Sequence, residues 1–262
     1  MRQILTLPTD LLTVLNEYSD WISQNPPDVN LPIWPSKGKF KKENRSEYAA
    51  SVECLKSGRV EDHDGYPPDS CGYDLNEPTL QRTLEMEGHT FSQEQKDWVQ
   101  RYIEKSRELD DTLGTYIGYK FCALKMYYPK DGYIAWHTNW NVPGFNCLFT
   151  WNPTGEGYWR HLDSSTQKPG TLQADPDKHL VHIQDVPGWH CKLGYYGAKD
   201  EHNKITWHAA YGGPRVTLGW VVRDENIWED IIEELTEAER AAGEQPTYMN
   251  VTNSFSSDSD NQ

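Results

Sequence analysis

Residues 128–139 read Tyr128-Pro129-Lys130-Asp131-Gly132-Tyr133-Ile134-Ala135-Trp136-His137-Thr138-Asn139. Pro129 to Gly132 is a turn signal, Tyr133–Thr138 is a short β-rich run behind it, and an apolar, aromatic run from Tyr116 leads up to Tyr128. The same strand–turn alternation continues downstream. Eight such segments can be counted: Tyr116–Tyr128, Tyr133–Thr138, Phe145–Trp151, Gly157–Leu162, His179–Gln184, His190–Tyr196, Ile205–Ala210 and Arg215–Arg223. Turns at Pro153-Thr154-Gly155, Pro187-Gly188 and Gly212-Gly213-Pro214 punctuate them. So many short strands in so short a stretch predict a closed or double-sheet antiparallel architecture, not alternating β and α units. Upstream the signals are helical. Pro8-Thr9-Asp10 opens an amphipathic run over Leu11–Ile22, another covers Glu47–Lys56, and Ser92-Gln93-Glu94-Gln95 has capping-box form ahead of Lys96–Leu109. Downstream, Glu225–Gly243 reads as an acidic helix. The fold class predicted is mainly β with flanking helices (α+β). Residues 1–115 form a helical support region, 116–243 a β core with its C-terminal helix, and 244–262 a Ser/Asp-rich disordered tail.

Composition limits the function. The chain carries 25 Lys and Arg against 40 Asp and Glu, a net charge of −15, which argues against affinity built on nucleic-acid phosphates. Its basic stretch, Lys37–Arg45, reads as a solvated loop. Mean hydropathy is −0.82, and no apolar run is long enough to span a membrane. The N-terminus has no signal-peptide pattern, and the five cysteines (Cys54, Cys71, Cys122, Cys147, Cys191) are odd in number and scattered. Together these predict a cytoplasmic protein with reduced thiols. The eleven Trp and fifteen Tyr predict a core built from large rings.

Among the nine histidines, His179 and His182 stand three apart on a strand, on opposite faces, and read as structural. His137 is placed differently, at the end of one predicted strand before the bend 139–144. His208 falls near the close of another, and a rolled sheet can bring two such residues to one metal at its mouth. After a tight turn come Arg215 and Thr217, two apart and therefore on one strand face, where guanidinium and hydroxyl suit a carboxylate.

Tyr128-Pro129, Tyr133, His137-Thr138-Asn139, His208 and Arg215-Val216-Thr217 in this order and spacing resemble the iron(II)/2-oxoglutarate-dependent oxygenases. The likeness is closest in style to the prolyl-hydroxylase-like branch and to phage-borne oxygenases, and it covers about Tyr116 to Asp224. The resemblance implies a double-stranded β-helix (jelly roll) of eight strands, with Fe(II), 2-oxoglutarate and O2 as its reactive components. It implies His137, Asn139 and His208 as the catalytic metal ligands. Arg215 would hold the distal carboxylate of 2-oxoglutarate with Thr217 and Tyr128, and Arg223 would be the fallback because the His208–Arg215 gap is short. The activity implied is hydroxylation of a C–H bond in a peptide side chain or small molecule, with release of succinate and CO2. Trp140, Asn141 and Asn146 are the candidate substrate contacts. Trp136, Trp151, Trp159 and Trp207 are placed along strands that border the mouth.

Asn139 departs from the family pattern, which has Asp or Glu there. Four readings follow: Asn139 is itself a neutral ligand, Glu156 or Asp163 completes the shell, the chain is an inactive form, or His161-Leu162-Asp163 is the true triplet. The last fits worst, since only two clear strands separate Asp163 from Ile205 where the family topology needs four. Two other functions stand beside the oxygenase: a metal-free jelly-roll binding or virion-associated module, and a cupin-type metalloenzyme that does not use 2-oxoglutarate.

Overall fold

The computed structural model describes residues 2–27, 47–57, 64–88, 90–118, 122–162 and 179–243. Lys37–Arg45, Asp163 and the segment 244–262 lie outside these residues. Among them are eleven strands: β1 (Arg2–Ile4), β2 (Ser70–Cys71), β3 (Tyr73–Asp74), β4 (Cys122–Tyr128), β5 (Tyr133–His137), β6 (Gly144–Asn152), β7 (Tyr158–Leu162), β8 (Leu180–Gln184), β9 (Gly188–Tyr196), β10 (His208–Tyr211) and β11 (Arg215–Val222). Five helices accompany them: α1 (Thr9–Gln24), α2 (Val52–Lys56), α3 (Glu77–Leu84), α4 (Gln93–Ile117) and α5 (Glu225–Ala241). The molecule is mixed α+β, with two antiparallel sheets ordered β1-β9-β6-β11-β4-β3 and β2-β5-β10-β7-β8. The β-rich reading with flanking helices therefore holds. Several details differ from the sequence reading.

Tyr116 and Ile117 close α4 instead of opening a strand. The helix starts on a complete capping box, in which Ser92 Oγ accepts from the Gln95 amide (3.2 Å) and the Gln95 side chain accepts from the Ser92 amide (3.0 Å). It stops at Gly118, whose φ of 72° a glycine adopts without strain. Trp98, Tyr102, Ser106, Leu109, Leu113 and Ile117 are buried along it. That helical stripe outweighs the strand preference of a terminal Tyr-Ile pair. The 115-residue N-terminal region also supplies three strands, β1 beside β9, β2 beside β5 and β3 beside β4.

Period two sorts the six-stranded sheet into two faces. Val216, Leu218, Trp220 and Val222 of β11 join the main core beneath α1, α4 and α5, with Leu11, Leu15, Tyr102, Leu113, Trp228 and Leu235. The alternate residues, Arg215, Thr217, Gly219 and Val221, look into a space between the sheets. The outer face of the five-stranded sheet has a smaller core, in which Ala49, Ala50, Cys54 and Leu55 cover Tyr133, Ala135, Trp136 and Trp207. Both of these cores lie outside the sandwich, and a small cluster of Trp159, Ile183 and Ala210 borders the cavity between the sheets. Trp220 is fully buried and edge-on to Phe149 at 6.0 Å. Trp220→Ala should cost about 3–5 kcal/mol in chemical unfolding; a loss below about 1 kcal/mol would contradict this packing.

Candidate functional site

A further difference builds the site. His208 opens β10; the sequence reading had it near that strand's close. The strand begins late because residues 202–204 form a 3-10 turn, and the run 205–207 precedes the ladder. β5 and β10 are antiparallel neighbours, so the end of one meets the start of the other, and His137 is the register partner of His208. Had both histidines ended their strands, they would lie at opposite ends of the pair.

A bulge then turns His137 inward. Between the pairs His208↔His137 and Ala210↔Ile134, two steps along β10 match three along β5. Ala135 and Trp136 both go to the outer core, where the Trp136 indole donates to the Ser51 carbonyl (2.8 Å). His137 joins Ile134 on the inner face. Strict alternation would have pointed it outward; re-aiming a side chain is a recurrent use of bulges.

The two imidazoles stand 4.1 Å apart between ring centroids. In each, Nδ1 faces a main-chain carbonyl two residues back: His137 to Ala135 O at 2.8 Å, His208 to Thr206 O at 2.9 Å. A carbonyl only accepts, so Nδ1 carries the proton in both rings and Nε2 presents a lone pair. This is how metal-ligating histidines are oriented by their surroundings. Tyr196 lies parallel to the His208 ring at 4.5 Å, and Trp159 packs at 5.8 Å.

Asn139 reaches the same point, its Nδ2 3.3 Å from His208 Nε2. The residue has a left-handed backbone (φ 59°), tolerated by Asn and Asp. Its N–H donates to Gly65 O and its carbonyl accepts from the Val142 amide, both at 2.8 Å. Turning the amide about χ2 exchanges Nδ2 for Oδ1 at nearly the same position. The donor set is then two imidazoles and one neutral oxygen. Among the described residues, no three His, Cys, Asp or Glu side chains converge on a point that would hold an ion. Glu156 is exposed in the turn after β6, where its carbonyl accepts from Asn152, and it does not line the cavity. His161 is the register partner of His208 on β7 and packs on Trp159 at 4.6 Å.

The cavity has a volume of about 500 Å³ and is walled by both inner faces. His137, Asn139, Asn146, His208, Arg215, Thr217 and Tyr128 all line it. Trp140 and Asn141 do not. They pack on Gly65, where an added Cβ would come within 2.5 Å of each. Of the tryptophans placed at the mouth, only Trp159 reaches the cavity; Trp151 packs on the helix-side core, Trp136 and Trp207 on the outer one. Arg223 is exposed beyond the end of β11 and faces no part of the cavity.

From His208, three residues of β10 run to Tyr211, roughly 10 Å at about 3.3 Å per residue. The turn 212–214 then delivers Arg215. Its guanidinium carbon lies 4.4 Å above the Tyr128 ring, and Nη1 is 3.7 Å from Asp185 Oδ2. Burial pushes the Tyr128 phenol up, against the pull of Arg215, so it stays protonated and able to donate. Sequence reasoning missed the neighbours of Arg215 here: Asp185, His190 and Lys192. Only β-strand alternation around Lys192 could have placed it inward, and its charge argued for an outward reading.

His190 gives this corner a pH signature. Burial and the Lys192 ammonium push it down to about 4 from the usual 6.5. Between those values the unfolded chain takes up a proton here and the native one does not, so stability falls as pH drops from 6.5 to about 4. Burial raises the Asp185 carboxyl, but Lys192, His190 and Arg215 outweigh it and hold it well below the usual carboxylate range. Its contribution is present above the ordinary carboxylate pKa and lost only below it. In thermal melts across that window, His190→Gln should flatten the slope; an unchanged slope would contradict the assignment.

No family model, no curated protein and no solved structure matches this chain.

Proposed function

We propose that the chain is an Fe(II)/2-oxoglutarate-dependent oxygenase that hydroxylates a C–H bond of a peptide side chain or small molecule. The observation that carries this reading is the pairing of His137 with His208, each holding its Nε2 lone pair toward one cavity that also contains Arg215. Strand order supports the jelly-roll form of the fold. The eight strands β4 to β11 divide into β9-β6-β11-β4 and β5-β10-β7-β8, the interleaving expected of a double-stranded β-helix. Free cysteines, among the described residues, favour a reducing, cytoplasmic setting, and no described helix is long and apolar enough to cross a membrane.

The residues fit the group. His137, His208 and the Asn139 amide oxygen would hold Fe(II) on one side and leave the other positions to small ligands. Once bound, iron and 2-oxoglutarate supply the oxidising chemistry: 2-oxoglutarate, O2 and R–H become succinate, CO2 and R–OH. The chain's part is orientation. The Ala135 and Thr206 carbonyls keep both rings in the ligating tautomer, and Arg215 with Thr217 and Tyr128 grips the distal carboxylate. Leu124, Leu148 and Val221 line the cavity with apolar surface that keeps water from the reacting atoms.

Anaerobic addition of Fe(II) and 2-oxoglutarate should give a visible charge-transfer band, and admission of air should give succinate. Neither would appear if the chain is instead a metal-free binding module. The Asn139–His208 hydrogen bond favours that second reading, because the amide there satisfies an imidazole that a metal would otherwise use. Restoring the acid separates the two. Asn139→Asp, compatible with the left-handed backbone, should tighten Zn(II) or Fe(II) binding by roughly ten- to a hundredfold, Coulomb attraction being offset by desolvation. Unchanged metal affinity would remove Asn139 from the ligand set.

A further inference from the structure

We infer that Lys192 is a second cationic anchor beside Arg215 in the cavity, selecting ligands that carry a distal carboxylate, with Asp185 as its positioning residue. Naming that ligand as 2-oxoglutarate rests on the function proposed above; the anion seat itself rests on the geometry. Four groups pack together there: Asp185 (3% exposed), His190 (0%), Lys192 (3%) and Arg215 (2%). Lys192 Nζ lies 3.3 Å from Asp185 Oδ1 and donates to His190 Nε2 at 2.8 Å. Arg215 Nη1 is 3.7 Å from the other oxygen of Asp185. Two cations thus share one carboxylate, and His190, accepting from an ammonium, is neutral.

With Lys192 protonated, one buried positive charge is left over; burial pulls the Lys192 ammonium below its usual range, and an anion beside it would complete the set. A second observation points to the missing partner. Arg215 Nε is buried and has no hydrogen-bond partner. Two other carboxylates line the cavity: Asp69 accepts from the Ser70 amide, and Asp74 accepts from Asn76 and Thr79. Lys192 and Arg215 both line the cavity, so an incoming carboxylate meets an ammonium and a guanidinium at once. Asp185 keeps the ammonium beside Arg215 and offsets half of the charge, so that a single carboxylate neutralises the seat.

Calorimetric titrations test this with the full chain, its Lys192→Met variant and Lys192→Arg. Metal-free protein is titrated with glutarate; Mn(II)-loaded protein is titrated with 2-oxoglutarate and with 2-oxopentanoate, which lacks the distal carboxylate. Lys192→Met should weaken glutarate and 2-oxoglutarate about tenfold or more, the worth of one charge-assisted hydrogen bond, and leave 2-oxopentanoate unchanged. Lys192→Arg should restore most of the loss. Circular dichroism melts check that Lys192→Met folds, as it should with Asp185 and Arg215 then paired one to one. If Mn(II) and 2-oxoglutarate bind the wild type and Lys192→Met equally, or if the wild type does not bind glutarate, the inference falls. If glutarate binding depends on Lys192 while Mn(II) does not bind, the seat stands and the oxygenase reading falls.

Discussion

His208→Gln should abolish succinate formation and leave no Fe(II) charge-transfer band. Its ring is held by the Thr206 carbonyl on one side and by Tyr196 stacked at 4.5 Å, so its Nε2 is aimed before any ligand arrives. Only His137 and a neutral amide would remain, too weak a set to retain a divalent ion at micromolar concentrations. The substitution keeps much of the ring's volume and a polar terminus, and it borders an existing hollow, so the fold should survive. Thermal melts establish that survival, and anaerobic spectra establish the loss. Full activity in a folded His208→Gln protein would remove the metal from the account.

Arg215→Met should raise the apparent KM for 2-oxoglutarate by roughly 30- to 100-fold, the range for charge-assisted hydrogen bonds lost from a buried site. kcat at saturating co-substrate should change much less, because on this reading the guanidinium would hold the carboxylate remote from the reacting carbon. Asp185 keeps Lys192 as partner, so no isolated buried charge is created. A lowered kcat with unchanged KM would mean that Arg215 serves the fold or the substrate instead. An enzyme indifferent to 2-oxoglutarate, and active in this variant, would be the cupin-type alternative.

The strand count, the turns and the inward pair Arg215/Thr217 were legible because period two and Pro/Gly punctuation are local. The meeting of His137 with His208 was legible only as a possibility. What makes it happen is a one-residue bulge in β5 and the late start of β10, features of strand pairing that leave no local mark. Trp140 and Asn141 looked like substrate contacts because they follow a ligand, yet the bend folds them onto Gly65, far away in sequence. Lys192 and Asp185 stayed hidden because charged residues on strands and in turns are usually exposed. Here the two satisfy each other inside, across the turn from β8 to β9 and next to the Arg215 that β11 delivers. The helical end of α4 was misread for the opposite reason: Tyr116 and Ile117 favour strands locally, and burial against the sheet overrode them.

Crystals grown with Zn(II), an Fe(II) stand-in that O2 does not oxidise, and measured at the zinc absorption edge put the central claim to its most direct test. One anomalous peak is expected in the cavity, roughly 2.0–2.1 Å from Nε2 of both His137 and His208. A peak bound to neither ring, or to one alone, would contradict the account.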